Sequence, residues 1–282
     1  MRHFQGIIRN LVFSSLWVSF VITALAWMGQ WWFKEYSIPR LVLVFALCLA
    51  GYNFIRVVGG YLHKFKSESE RQSWIYKQRK VLMGLIGLCL PIILFLIIQE
   101  KLWLEPFTYW IPALTLGYAL PFWKGKTRLR DLPFLKVFLI AFVWASVVCF
   151  LGIPGFRLQG IQFLFFGQIF FYTLGLTIPF DIRDIQRDPQ DLRTIPQWAG
   201  VKPAKRIAQA CLILFEVGLW LQLVIFKNLK LIPFIVLMIS NKALLGLIYW
   251  SEEEKDEMYF SFWIEGAPIL GVMGIVFWEL IR

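Results

Sequence analysis

The sequence lacks what a soluble domain needs. No stretch between its apolar runs exceeds about 25 residues, and none carries a periodicity long enough to close a core of its own. Cysteine is scarce, and Cys48, Cys89, Cys149 and Cys211 all lie inside apolar runs, where they behave as small hydrophobes. That placement excludes a disulfide framework or a zinc site. The first apolar run, Leu11 to Phe33, has no small-residue cleavage site after it and is too long for a signal-peptide core, so it is read as a retained span. Low-complexity tracts are absent. Repetition is limited to spans two and three, four and five, and six and seven, each pair flanking a polar loop.

What is present is oil. The 282 residues are 59% hydrophobic and 18% aromatic, and the mean hydropathy is +0.64, well above what the core of a soluble domain requires. Crossing a bilayer takes roughly 20 apolar residues. Nine segments qualify or nearly do: 11–33, 40–61, 81–99, 103–123, 133–153, 160–180, 207–226, 231–250 and 258–281. Glu105, Pro106 and Pro112 interrupt the fourth, and Glu265 with Pro268 marks the ninth as a candidate for a break. With the N-terminus inside, 20 Lys and Arg fall on the cytoplasmic side against seven outside, so the expectation is N-terminus cytoplasmic and C-terminus outside. The net charge of +11 sits between spans, where topology and anionic lipid headgroups recruit it, and nucleic acid is not the expected partner. The acids Glu252 to Glu254, Asp256 and Glu257 read as a solvated connector. The chain is expected to form a single membrane domain, 1–282.

Three polar features carry potential chemistry. DIRDIQRDPQDLRT, Asp181 to Thr194, follows the sixth span. If the helix continues past Phe180, then Asp181, Asp184 and Asp188 are spaced i, i+3, i+7 on one face. Two readings are open. Converging carboxylates call for a compensating cation, and hard oxygens of this kind suit Mg²⁺ shared with a diphosphate; alternatively this is an amphipathic loop whose acids pair with Arg183, Arg187 and Arg193. The loop 124–136 holds Lys124, Lys126, Arg128, Arg130 and Lys136 around Asp131. Positive-inside topology produces such a cluster, and such a cluster also neutralises the charge that develops on a leaving diphosphate. Third, Asn53, Arg56, Glu216, Asn241, Lys242 and Glu265 lie at membrane depth, where ionisable groups face a bundle interior or a wet cavity. Interhelical hydrogen bonding for Asn53 and Arg56, and a structural pairing of Lys242 with Glu216 or Glu265, are the plain readings. The aromatics of the sixth span, Phe163, Phe165, Phe166, Phe170, Phe171 and Tyr172, read either as packing or as a pocket for a polyisoprenoid tail.

These residues resemble the UbiA-type superfamily of intramembrane prenyltransferases. That family's second acidic motif typically reads N-D-x-R-D-x-x-x-D, then a basic residue, Thr and a small-residue turn ending in Gly. Here FDIRDIQRDPQDLRTIPQWAG keeps Asp181, Arg183, Asp184, Asp188, Arg193, Thr194 and Gly200 in register. GYALPFWKGKTRLRDLPFLK, Gly117 to Lys136, is similar to the family's Tyr- and Lys/Arg-containing loop before span five. The first acidic motif, N-D-x-x-D-x-x-x-D, falls on NFIRVVGGY; Asn53 is kept, while Phe54, Val57 and Tyr61 stand at its three acidic positions and Phe180 replaces the Asn of the second motif.

The resemblance implies an all-α membrane protein with nine transmembrane helices in a UbiA-like bundle. It also implies a site on the cytoplasmic side of a bacterial inner membrane, where a prenyl group leaves a polyprenyl diphosphate for a hydrophobic or aromatic acceptor. On this reading Asp181, Asp184 and Asp188 hold Mg²⁺, and Asp181, Asp184, Asn53 and Arg56 are catalytic. Lys64, Tyr118, Lys124, Arg130 and Arg183 bind the diphosphate, with Arg56, Lys64 or Lys66 standing in for the second metal. The acceptor and any protein partner are not legible. Two other readings compete: a non-catalytic isoprenoid or lipid binder, favoured by the missing acids, and an ion-coupled transporter using Lys242, Glu216 and Glu265.

Overall fold

In lipid a backbone must satisfy its own polar groups, so apolar runs of this length fold as helices. The computed structural model describes residues 2–62, 70–121 and 128–282, excepting the side chains of residues 2–4 and 62. A short helix, α1 (Arg2–Phe13), breaks at Ser15, whose φ of 65° is left-handed. There follow α2 (Leu16–Phe33), α3 (Ile38–Leu62), α4 (Glu70–Gln99) and α5 (Phe107–Ala119). α6 (Leu135–Ser146) runs into a π-helical stretch, Val147–Leu151, and leads to α7 (Ile161–Arg183). The small α8 (Ile195–Ala199), α9 (Val201–Val224) and α10 (Leu231–Tyr249) come next. A second π stretch, Tyr259–Ile264, precedes α11 (Pro268–Ile281). Among the described residues there is no strand.

Seven of these helical segments are long and apolar enough to cross a membrane, and this is an integral membrane protein. The other two apolar segments are helical but short: α5 has 13 residues, with Pro112 inside it, and Leu135–Leu151 is the second. The expected break in the last segment is real, as the π stretch and a turn at Ala267 precede Pro268. Hydropathy misplaced the start of α4, which begins at Glu70 rather than near residue 81. Its first turns are polar, and a helix does not stop where the oil stops.

Consecutive long helices alternate in direction. At one end of the bundle Arg40 pairs with Glu100, Arg157 with Glu105, and the Trp31 indole donates to Glu279. At the other, Arg9 pairs with Glu70, Arg71 with Glu257, and Lys205 donates to the Tyr249 carbonyl. Between these ends a continuous core includes Val21, Leu43, Ile178, Leu212, Ile248 and Phe260, all buried, while Phe95, Ile98, Ile239 and Phe277 point outward. α7 is held tightly. A Cβ at Gly175 would lie 2.8 Å from the Ala208 carbonyl oxygen of α9, so glycine alone permits this approach of two backbones.

Candidate functional site

The acidic segment sits where α7 ends, at the Arg71–Glu257 end of the bundle. Pro179 is inside the last turns of α7, and the helix stops at Arg183 with Asp184 as its cap. The chain then turns, with the Arg187 and Asp188 amides donating to the Asp184 carbonyl at 2.9 and 2.8 Å. The expectation that one helix carries all three acids is therefore corrected. Asp181 is on α7, Asp184 caps it, and Asp188 lies beyond it, because Pro189 follows and cannot continue a helix. Gln197 of α8 fixes the turn by donating to the Asp188 carbonyl at 3.0 Å while accepting the Thr194 amide at 3.0 Å.

What gathers the acids is Lys136, on the first turn of α6. Its ammonium lies 2.6 Å from Asp188 Oδ2, to which it donates, and 2.9 Å from Asp181 Oδ1. The second contact is a buried ion pair, and Asp181 Oδ1 has no partner other than Lys136 among the described residues, although Asp181 is only 2% exposed. Asp184 has a different cation. Arg183 Nε and Nη2 donate to its two oxygens at 2.9 and 2.7 Å, and Arg187 lies 3.7 Å away. Burial pushes the Asp184 carboxyl up, but the Arg183 guanidinium, then Lys136 and Arg187, outweigh it and hold the group below the usual carboxylate value. The Arg183 guanidinium lies against the rings of Phe180 and Phe260, 5.1 and 5.8 Å from their centroids, and its Nη1 is buried without a partner.

The loop before α6 closes the site from the side. A Cβ at Gly117 would fall 2.8 Å from Leu129, so the end of α5 and the turn Leu129–Asp131 are pressed together. That contact sets Arg130 over the Tyr118 ring at 5.5 Å. Arg128 forks onto Asp131 at 2.9 Å to each oxygen, and Asp131 accepts the Arg128 amide at 3.0 Å. Burial raises the Asp131 carboxyl, but Arg128 and Arg130 bring it below its ordinary value. The Phe134 amide donates to the Leu192 carbonyl at 3.3 Å and its ring meets Trp198, joining this loop to the chain after the acids. Lys64, Lys66, Lys124 and Lys126 lie outside the described residues.

Asn53 and Arg56 make their described hydrogen bonds at the α1–α2 corner. Asn53 is fully buried; it accepts from Ser15 at 3.0 Å and donates to the Ser14 and Leu49 carbonyls, both at 2.9 Å. Arg56 donates to Ser15 Oγ at 2.5 Å and to the Phe13 carbonyl at 3.1 Å. Among the described residues their hydrogen bonds close the corner between α1 and α2 and none reaches Asp181 or Asp184. Lys242 donates to Glu216 at 2.6 and 2.8 Å, which is the structural pairing. Glu265 is apart from that pair, buried in the electrostatic reach of Arg71 and Arg183. The sequence offers Glu265 as a partner for Lys242 and does not connect it with Arg71 and Arg183. The available signal was Glu257, Ser261 and Glu265 recurring at intervals of four, with Arg71 donating to the first two.

The aromatics of α7 mostly pack: Phe165 against Trp32 and Phe33, Phe166 against Phe142 and Phe150, and Tyr172 against Phe215. Phe163 is outward. A groove of about 530 Å³ lies between α3 and α4, lined by Ile38, Val42, Pro91 and Phe95, at the end away from the acids.

As arranged, the carboxylates do not fit the expected Mg²⁺. The place between Asp181 and Asp188 is filled by the Lys136 ammonium, Asp184 is forked by Arg183, and among the described residues no three acidic, His or Cys groups are disposed to hold a metal ion.

No protein-family model matches the chain, and no curated relative matches it in sequence. Solved structures do match. A UbiA homologue from Aeropyrum pernix K1 is similar over 93% of this chain and 98% of its own, at 15% identity and a TM-score of 0.65. A structure of digeranylgeranylglyceryl phosphate synthase is similar over 97% of this chain and 95% of its own, at 14% identity and a TM-score of 0.58. The chain is an all-α membrane protein with the fold of the UbiA-type intramembrane prenyltransferases.

Proposed function

We propose that this protein is an intramembrane prenyltransferase that moves a prenyl group from a polyprenyl diphosphate to a hydrophobic or aromatic acceptor. The observation that carries the reading is the buried Asp181–Lys136–Asp188 bridge beside the Arg183–Asp184 fork, at the end of a UbiA-type bundle. The diphosphate head lies at this end against Arg183, Arg130 and Tyr118, and Lys124 and Lys64, outside the described residues, are the further cations assigned to it. The prenyl C1–O bond breaks, its electron pair leaves with the diphosphate, and the allylic cation is captured by the acceptor's electron pair. Cations beside the leaving oxygen stabilise the charge as it develops. The rings of Phe180 and Phe260, already facing a guanidinium, suit a nearby carbocation. Lys136 and Arg183 occupy the carboxylates and supply positive charge at this end themselves. The excess of Lys and Arg at this end supports a cytoplasmic site with the C-terminus outside, in a membrane we take to be the bacterial inner membrane.

Asp181→Ala and Asp184→Ala, assayed for prenyl transfer in membranes with a panel of prenyl diphosphates and acceptors, test the proposal. Each is expected to lose turnover by a hundredfold or about that order; unchanged turnover overturns it. A second reading, a non-catalytic isoprenoid binder, draws on the commitment of Asn53 and Arg56 to the α1–α2 corner. Tight diphosphate binding with no product across the acceptor panel would select it.

A further inference from the structure

We propose that the Lys136 ammonium is a built-in replacement for a bridging divalent ion, held by Asp181 and Asp188 so that it delivers an N–H directly to a diphosphate oxygen; this rests on the head-group reading above. The placement is against ordinary preference. A cation on the first turn of a helix meets the positive end of the helix dipole, and Lys136 is the second residue of α6. Two carboxylates from a different part of the chain overcome that, at 2.9 and 2.6 Å, with the Asp181 side chain 2% and the Lys136 side chain 13% exposed. A lysine used only to neutralise one acid would align with it. This one stands between two, hydrogen-bonded to Asp188 at 2.6 Å and 2.9 Å from Asp181 Oδ1, which has no other partner in a buried place.

The chemistry rests on donor counts. An ammonium has three N–H donors and no acceptor; Asp188 takes one and Asp181 lies within reach of a second. At least one remains for a ligand oxygen. A bridging metal does the same two things, drawing carboxylates together and presenting positive charge to phosphate, but it comes and goes with the medium. Lys136 does not. The sequence departs from the two-motif pattern in the same direction, with no acids at Phe54, Val57 and Tyr61 to hold a second ion.

The experiment uses the full chain in detergent, with Mn²⁺ and inorganic pyrophosphate as probes. Wild type is expected to show no saturable Mn²⁺ site by electron paramagnetic resonance. It is also expected to bind pyrophosphate equally in EDTA and in Mg²⁺. Lys136→Ala, and Lys136→Gln as the variant that keeps a hydrogen-bonding side chain, are expected to gain one Mn²⁺ site. That site should disappear when Asp181→Asn is added. Both lysine variants should bind pyrophosphate about tenfold or more weakly in EDTA, and recover when Mn²⁺ is supplied. A wild-type Mn²⁺ site abolished by Asp181→Asn overturns the inference, as does the absence of a site from every variant that folds. Should neither lysine variant fold, the wild-type arms still decide it: EDTA-sensitive pyrophosphate binding overturns it and EDTA-insensitive binding upholds it. If wild type fails to bind pyrophosphate or a prenyl diphosphate at all, the functional reading fails, while the Mn²⁺ titrations still report on the seat.

Discussion

Arg183 holds the carboxylate of its immediate neighbour, Asp184, by two parallel hydrogen bonds of 2.9 and 2.7 Å. Adjacent residues on a helix normally diverge, and this pair converges because Asp184 has left the helix. The fork demands a guanidinium, since an ammonium offers a point charge. Arg183→Lys is therefore expected to cost about 1.5–3 kcal/mol of binding, read as roughly a 10- to 100-fold fall in kcat/KM for prenyl transfer. Equal activity in the two proteins would remove Arg183 from the site.

Lys242 and Glu216 form an ion pair within the spans, and Asn241 adds a third bond to Glu216 at 2.8 Å. Breaking one side strands a charge in the bundle. Lys242→Met should destabilise by about 3 kcal/mol, whereas Lys242→Met with Glu216→Leu should recover most of it. Thermal unfolding in detergent measures both. Intact prenyl transfer in the double variant would also set aside an ion-coupled role for the pair.

Asp184 and Asp131 both titrate below the ordinary aspartate value of 3.8. A depressed folded carboxyl binds fewer protons than the unfolded chain, so its stabilising contribution is complete above the ordinary value and is lost as pH falls through the folded one. The gap in unfolding midpoint between wild type and Asp184→Asn should accordingly be widest at neutral pH and narrow in acid, below about pH 4. A gap that widens in acid contradicts the ion-pair assignment. Asp131→Asn should behave in the same way.

Gly175→Ala should force α7 from α9, because the obstacle is the Ala208 backbone oxygen and not a side chain that can swing away. The expected cost is about 1–3 kcal/mol, with prenyl transfer falling further than stability because Asp181 travels with α7. The neighbouring Gly167, whose added Cβ meets nothing within 4 Å, supplies the control: Gly167→Ala should be neutral or stabilising.

Hydropathy made the bundle legible because each span must be apolar over most of its length, and each expected segment contains a helix, seven of them long and apolar enough to cross a membrane. It did not reveal α1 as a separate helix, since the break depends on one left-handed residue, Ser15. The acids were legible as a cluster, but their partners were not. Lys136 is 52 residues from Asp188, and its turning inward is decided by how α6 packs on α7. Arg56 shows the converse: its position in the motif pointed toward the site, yet its Nη1 donates into the α1–α2 corner, to the Phe13 carbonyl and Ser15 Oγ.

The π stretch Tyr259–Ile264 puts the two halves of the last span out of phase. Its near half faces Arg71 and Arg183 through Ser261 and Phe260, while its far half sets Gly271 and Gly274 against Leu237 and Val236 of α10. Each extra residue in a helix rotates all later side chains by about 100°. Chain length within these six residues is consequently the angular setting between polar chemistry and lipid-embedded packing. Deleting a single residue there would change no other side chain's identity and yet would aim one half of the helix at the wrong neighbours.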